Sequence, residues 1–374
     1  MLSNKLFINR FKIYVKLCFL RVLYVLNSEQ LYRVFRFIFF KPINTLVISL
    51  DNVCNYNCTF CKRNRKKCNI EKNKWIELIK EIRIKGIKDI TIVGGEPLLY
   101  PALFEVLNEI KRLNFHSLHI VTNGSLLTDD NIDRLKPYNP TLVVKYGIQP
   151  SLYQEMTGQT RFNLSDIESN IAQCVKNGLP VVTFSVIKRF NMNYVDDIIH
   201  NTLRLGAFPA FQQFYVYEKL QYLSEKNTVN EVFLSSEEFK SALKPLDNYF
   251  LSYKDLLYAS LRLKRKSVCG GYDDLLYINC HGYVFPCPYC IDEEYAIGNI
   301  LDDKFDNIYK RWLSSKRTYA YGADSLKCKK CFFRYLCRGG CLALRENRID
   351  DNAPCLDSET YIRQIGYFLA ALEN

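Results

Sequence analysis

The chain has 374 residues, 48% hydrophobic and 24% charged, with a formal net charge of +12. Its apolar content can build a large core, which excludes a disordered chain, and its length exceeds the common single-domain size. No uninterrupted apolar run reaches the ~18 residues of a membrane-spanning helix.

The positive charge is local. Residues 1–44 hold eight Lys/Arg against Glu29 alone, residues 62–74 hold seven against Glu71, and the chain from Trp75 onward is neutral overall. A general nucleic-acid surface would spread its cations over one domain face, so no nucleic-acid partner is expected. Fifteen cysteines at short spacings suit metal ligation in a reducing cytoplasm better than a disulfide framework.

Taken in order, residues 1–44 form a basic, strongly apolar helical segment, broken near Asn27-Ser28 and ended before Pro42. Arg10, Lys12, Lys16 and Arg21 interrupt it where a signal peptide would be uniformly apolar. Residues 1–40 read either as a helix on an anionic membrane surface, a peripheral contact, or as a helix packed across an exposed part of the fold. The second reading is favoured, because a helix apolar nearly all round needs protein cover.

From Thr45 strand-like and helix-like stretches alternate, the pattern of parallel βα units. Strands are predicted at Thr45–Asp51, Asp89–Val93, Ser117–Thr122, Thr141–Ile148, Pro180–Ile187 and Ala210–Tyr217. Helices are predicted at Trp75–Lys85, Ala102–Leu113, Ser165–Asn177 and Tyr194–Leu205, with Gly86, Gly178 and Gly206 placed as left-handed C-caps. The fold class is α/β: a partial (β/α)6 TIM-like barrel over residues 45–217. A helical bridging region follows over 218–268, containing helix-like Ser235–Tyr253, and a small cysteine-rich module fills 269–374.

Three elements fall at the ends of the first three strands, where barrel chemistry sits. The first is Cys54-x3-Cys58-x2-Cys61, with Phe60 before the last cysteine. Three thiolates on so short a loop can hold three corners of a 4Fe–4S cubane, leaving the fourth iron open to a small ligand. A closed zinc or iron site would add a fourth Cys or His, and no histidine lies nearby. The second is Gly94-Gly95-Glu96-Pro97, where paired glycines let the backbone approach a ligand closely and a carboxylate can bind an ammonium group. The third is Thr122-Asn123-Gly124, by itself only turn chemistry.

Together these resemble the radical S-adenosylmethionine (SAM) superfamily. The resemblance implies that Cys54, Cys58 and Cys61 bind a cluster whose open iron takes the amino and carboxylate groups of SAM. Phe60, Gly94, Gly95, Glu96, Pro97, Thr122 and Asn123 then become cofactor-binding candidates, and Arg161 a candidate for the SAM carboxylate. The fourth strand departs from the family, with Lys145 and Tyr146 where many relatives carry Ser-x-Asp-Gly. Thr157-Gly158 further on looks like some peptide-modifying members.

A second cysteine field starts at Cys269: twelve residues to Gly282, four more to Cys287, then Cys328-x2-Cys331-x5-Cys337-x3-Cys341 and finally Cys355. Interleaved thiols of this kind can wrap two soft metal centres in a module too small to have its own core. The pattern resembles the seven-cysteine SPASM domain. By that resemblance Cys269, Cys287 and Cys341 bind a near auxiliary cluster, and Cys328, Cys331, Cys337 and Cys355 a distal one. The near cluster's missing ligand is Cys280, Cys290 or the substrate itself; Cys18, Cys68 and Cys174 fall outside the pattern as small apolar residues. Three 4Fe–4S clusters and SAM are therefore the expected cofactors.

The expectation is a radical SAM oxidoreductase acting on a peptide or protein side chain, the auxiliary clusters accepting electrons or binding substrate. The alternatives are a dehydrogenase of a small-molecule sugar or cyclitol alcohol and a non-catalytic electron-transfer protein. An external flavodoxin or ferredoxin would supply electrons, and a separate peptide-recognition protein could present the substrate. Relatives that mature sulfatases carry a basic Asp where this chain has Pro288, which leaves Tyr289 and Asp292 as weak catalytic candidates.

Overall fold

The computed structural model describes residues 45–59, 61, 68, 70–213, 234, 238, 241–249, 275–288 and 290–319. The expected N-terminal helices lie outside these residues, as do Phe60, Cys269, Tyr289, Cys328, Cys331, Cys337, Cys341 and Cys355.

Six parallel strands carry the fold: β1 (Thr45–Ser49), β2 (Asp89–Val93), β3 (Ser117–Thr122), β4 (Thr141–Lys145), β5 (Val181–Ile187) and β6 (Phe208–Gln213). They lie side by side in chain order, each hydrogen-bonded to the next. Right-handed crossovers between sequential parallel strands put every helix on the same face, and the sheet curls into a partial barrel.

The helices follow from apolar spacing. Helix α1 (Lys72–Ile84) buries Trp75, Leu78, Ile79 and Ile82, and α2 (Leu103–Arg112) buries Leu103, Val106, Leu107 and Ile110. Two short helices, α3 (Asp129–Leu135) and α4 (Tyr153–Thr157), were not expected; α3 is started by the Thr128 side chain, which accepts from Asn131 N–H. Helix α5 (Leu164–Lys176) opens with an Asn163/Asp166 capping box and buries Cys174, whose thiol burial pushes up to about 12. Helix α6 (Val195–Arg204) buries Val195, Ile198, Ile199 and Thr202. The spacing i, i+3, i+4, i+7 turns each of the longer helices onto the sheet. Gly86, Gly178 and Gly206 do take positive φ, at 83°, 80° and 74°.

Inside the expected bridging helix, Glu238, Ser241 and Ala242 are helical, and a short helix, α7 (Leu246–Tyr249), follows. The cysteine-rich segment then returns to the barrel. Strand β7 (Leu275–Ile278) pairs in parallel with β1, and β8 (Tyr283–Phe285) and β9 (Gly298–Asn299) continue the same sheet antiparallel. The hairpin turn needs Gly282: its φ is +87°, and an added Cβ would meet Asn299 Oδ1 at 2.4 Å. Helix α8 (Phe305–Tyr319) buries Phe305, Ile308 and Trp312 in the main core, and its Asp306 pairs with Lys85 at the end of α1.

The two sheet faces differ. Leu46, Ile48, Ile90, Ile92, Ile120, Leu142 and Val144 are fully buried under the helices. On the barrel's inner face Thr91, Val93, Val121 and Val143 are only half-buried and Lys145 is exposed.

Candidate cluster and cofactor site

Because β1, β2 and β3 are parallel neighbours, their C-terminal ends bring three loops to one rim. Cys54 and Cys58 are half-buried there and Cys61 exposed, and the Cys61 N–H donates to Cys58 O at 3.1 Å, closing a turn. Cys54 Sγ accepts from Tyr56 N–H at 3.4 Å, and Asn123 Nδ2 lies 3.9 Å away. Burial raises the Cys54 pKa, the Tyr56 N–H opposes this, and the negative charges of Glu96 and Cys61 raise it further.

Glu96 is 2% exposed. Its Oε1 accepts from Thr122 Oγ1 at 2.8 Å and Leu98 N–H at 3.2 Å, and its Oε2 accepts from Asn123 N–H at 2.8 Å. Burial nevertheless pushes its pKa from 4.5 to about 7, because the hydrogen bonds only partly offset desolvation. Among the described residues no Lys, Arg or His forms an ion pair with it. An uncompensated buried carboxylate beside three thiols calls for a positively charged occupant. The donor set therefore fits an iron cluster with an ammonium-bearing ligand.

The glycine pair also lets two stretches of backbone meet. An added Cβ on Gly95 would sit 2.0 Å from Val53 O, and one on Gly94 2.5 Å from Asp51 O. Gly95 N–H donates to Asp51 O and Glu96 N–H to Val53 O, both at 2.8 Å. The glycines thus let the turn after β2 lie against the backbone entering the cysteine loop.

Thr122 and Asn123 are also wired into the protein. Besides holding Glu96, Asn123 donates through Nδ2 to Asn55 Oδ1 at 2.9 Å, and its own Oδ1 accepts from Ser125 Oγ at 2.6 Å. Asn55 Nδ2 in turn donates to Ser125 Oγ at 2.8 Å.

The other flank of the loop is braced by α4. Asn57 N–H donates to Thr157 O and Thr59 N–H to Met156 O, each at 2.9 Å. The buried hydroxyls of Tyr56 and Tyr153 lie 2.8 Å apart, and Gln159 Nε2 donates to Asn55 O at 3.3 Å. Sequence reading missed Asn55, Ser125, Tyr153 and Gln159; the one signal was Thr157-Gly158, which stands here against Asn57.

Arg161 is exposed, its guanidinium 5.6 Å from the Phe162 ring centroid. Of the fourth-strand pair only Lys145 faces the barrel interior, 4.1 Å over the Phe184 ring, whereas Tyr146 turns to the helices and donates to Glu168 Oε1. Asp292 opens a 3-10 turn, its carbonyl accepting from Tyr295 N–H at 2.9 Å.

Two cysteine expectations change. Cys68, read as a buried apolar residue, is buried but is disulfide-bonded to Cys280, with Cα atoms 5.6 Å apart. A sulfur in that bond cannot serve as a thiolate, so Cys280 does not ligate iron in this state. Cys290 is buried, and its N–H donates to Cys287 O at 3.1 Å.

Comparison with known proteins supplies the context. The family model described as the radical SAM superfamily matches residues 48–201, and SPASM, an iron–sulfur cluster-binding domain, matches 269–332. A probable GTP 3′,8-cyclase from Methanococcus aeolicus is 30% identical over 210 residues, covering 51% of this chain and 67% of the relative. Among these cyclases the matched share runs as low as 55% of the relative's length. A cysteine-type anaerobic sulfatase-maturating enzyme from Clostridium perfringens is 23% identical over 363 residues, 83% of this chain and 92% of the relative. In solved structures, anSMEcpe with bound AdoMet and Cp18Cys peptide superposes with a TM-score of 0.65 at 18% identity, covering 89% of this chain and 99% of that one. Streptococcus suis SuiB bound to precursor peptide SuiA gives 0.57 at 17% identity, covering 87% and 77%.

Proposed function

Given that the chain belongs to the radical SAM superfamily and carries a SPASM iron–sulfur cluster-binding domain, we propose that it is an oxidoreductase-type maturase that removes hydrogen from a side chain of a peptide or protein. The observation that carries the SAM-dependent part is Glu96, a buried carboxylate held by three hydrogen-bond donors, without a cationic partner among the described residues, at the rim of the cysteine loop. Support for a peptide substrate comes from the sulfatase-maturating relative, which matches along most of the chain, and from the peptide-bound neighbours.

In this reading Cys54, Cys58 and Cys61 hold the SAM-binding cluster and Glu96 accepts from the N–H of the SAM amino group. When bound, the cluster and SAM supply an electron and a 5′-deoxyadenosyl radical. The chain's own work is positional. Asn123 fixes Glu96 and, through Asn55, the cysteine loop, while α4 clamps the other side. Lys145 and the half-buried inner strand residues face the space where a substrate would enter.

For the near auxiliary cluster, Cys290 completes the set of Cys269, Cys287 and Cys341, because it shares one short turn with Cys287. Cys280 lies beyond Ile278 at the turn end of the hairpin, and Cys287 lies three residues past Val284 at the other end. At ~3.3 Å per residue they are about 10 Å or more apart along the strands, too far to share a cubane. Cys328, Cys331, Cys337 and Cys355 hold the distal cluster. Pro288 cannot take a proton, so the hydrogen-abstraction outcome differs from one that needs a base at that position.

The test is anaerobic incubation of reconstituted full-length protein with SAM and a flavodoxin- or ferredoxin-class reductant, with and without candidate precursor peptides. 5′-Deoxyadenosine and a peptide mass change are expected, with about twelve irons per chain for three cubanes. Absence of 5′-deoxyadenosine overturns the enzyme reading. Its formation with a sugar alcohol but with no peptide overturns the substrate class.

A further inference from the structure

The Cys68–Cys280 pair is joined by a third donor. His281 offers a ring nitrogen, and this atom and the two sulfurs all lie within 4.8 Å of one another. The cysteines are 212 residues apart in sequence, and the sheet brings them together. Strands β1 and β7 run parallel from Thr45↔Leu275 to Ile48↔Ile278, so the segments leaving the two strands emerge at the same rim. Two residues past β1, Asp51 Oδ1 accepts from Cys68 N–H at 3.0 Å and anchors that cysteine. Two residues past β7, Cys280 sits in a turn whose Asn279 Oδ1 accepts from His281 N–H and Tyr283 N–H, both at 3.0 Å. Both cysteines are buried and the histidine is exposed.

The working state of such a chain is a reduced one. The remaining cysteines of its two cysteine fields hold iron only as thiolates, and conditions that keep them reduced also reduce a disulfide bordered by an exposed side chain. Two electrons and two protons from a dithiol-class reductant break the S–S bond and give two thiols. Two thiols and an imidazole at this spacing form a soft-metal donor set. We propose that in the reduced protein Cys68, Cys280 and His281 bind one zinc ion, releasing the two thiol protons. Water on the exposed side of His281 completes the tetrahedron. This centre is separate from the iron clusters and does not depend on the proposed substrate. It ties the segment leaving the cysteine loop to the hairpin after β7, and the disulfide is its oxidised, metal-free form.

Zinc and iron have separate X-ray absorption edges, so the site can be read in the cluster-loaded protein. Cluster-loaded full-length protein, kept anaerobic with a thiol reductant and then given Zn2+ as the sole added metal, is expected to retain about one zinc per chain, with two sulfurs at ~2.3 Å and one nitrogen at ~2.0–2.1 Å. The Cys68→Ser/Cys280→Ser variant is expected to lose the zinc and keep its iron. His281→Ala, which removes only an exposed side chain, is expected to lose the nitrogen shell and hold zinc at least tenfold more weakly. The proposal is overturned if no zinc binds, if the double variant keeps it, or if His281→Ala leaves the zinc shell unchanged. It is equally overturned if the double variant loses four irons, or if alkylation mapping finds Cys68 and Cys280 still linked after anaerobic reduction. 5′-Deoxyadenosine formation is measured separately: a protein that makes it without zinc loses this site and keeps its catalytic reading.

Discussion

At the scale of single residues, Glu96 shows how a site can be built to want a charge it does not contain. Three donors orient the carboxylate, yet burial holds its pKa at about 7 against an ordinary 4.5. The raised value means that burial favours the protonated form of Glu96 more than water does. The stability contributed by that proton is complete below pH 4.5 and is lost as pH rises through about 7. A cationic ligand reverses the preference, because it pairs with the ionised form. SAM binding to the cluster-loaded protein should therefore release a proton near neutral pH and strengthen about tenfold between pH 6 and pH 8, as expected for one group titrating near 7. Calorimetric titration in two buffers of different ionisation heat measures this directly. Glu96→Ala should reduce both the proton release and the pH dependence; a wild-type affinity that is flat with pH would remove Glu96 from the ligand site.

Among elements, the central relationship is between the cysteine loop and the turns that hold it. The carboxylate and the cysteines were legible in sequence because their chemistry is local and their spacing is short. The bracing by α4 was not, since it depends on backbone hydrogen bonds between segments about a hundred residues apart, such as Asn57 to Thr157. Gly94-Gly95 was legible as a place where backbone could approach a ligand, but its packing against the backbone of Asp51 and Val53 was not. With Val53 O only 2.0 Å from an added Cβ, Gly95→Ala forces two backbones apart and no side chain can yield. It is expected to cost on the order of 3 kcal/mol and to lower iron at the Cys54–Cys61 site, measured by denaturant unfolding and by iron content. Gly86→Ala is the control, with nothing within 4 Å of its added Cβ and only a strained φ to bear. It should cost about 1 kcal/mol and leave iron unchanged. Equal iron loss in both variants would dissociate the glycine pair from the cysteine loop.

For the whole molecule, the cysteine-rich segment is part of the barrel's architecture. Strand β7 covers the edge of β1, Val47 packs with Tyr277 and Phe285, and α8 places Trp312 in the main core. An uncovered β1 would present a central, apolar strand as an open edge. A chain ending after residue 268 is thus expected to aggregate or to lose cooperative unfolding, checked by light scattering and thermal melts. A soluble, cooperatively folding truncation would instead make the segment an independent domain. Among the described residues no helix is long and apolar enough to cross a membrane, in line with the absence of such a run in the sequence.

Sequence alone determined the βα alternation, the parallel barrel and the two cysteine fields, because apolar periodicity and ligand spacing are short-range properties that survive without coordinates. The ends of β2 and β3 came out residue for residue, since buried alternation stops where the turn residues begin. Tertiary structure decided everything that depends on which strand ends are neighbours: the convergence of Glu96, Asn123 and Asn55 on one loop, the turning of Tyr146 away from the barrel interior, and the seating of β7 against β1. It also decided the partner of Cys280. Strand order, and not residue spacing, brings Cys68 to it across 212 residues.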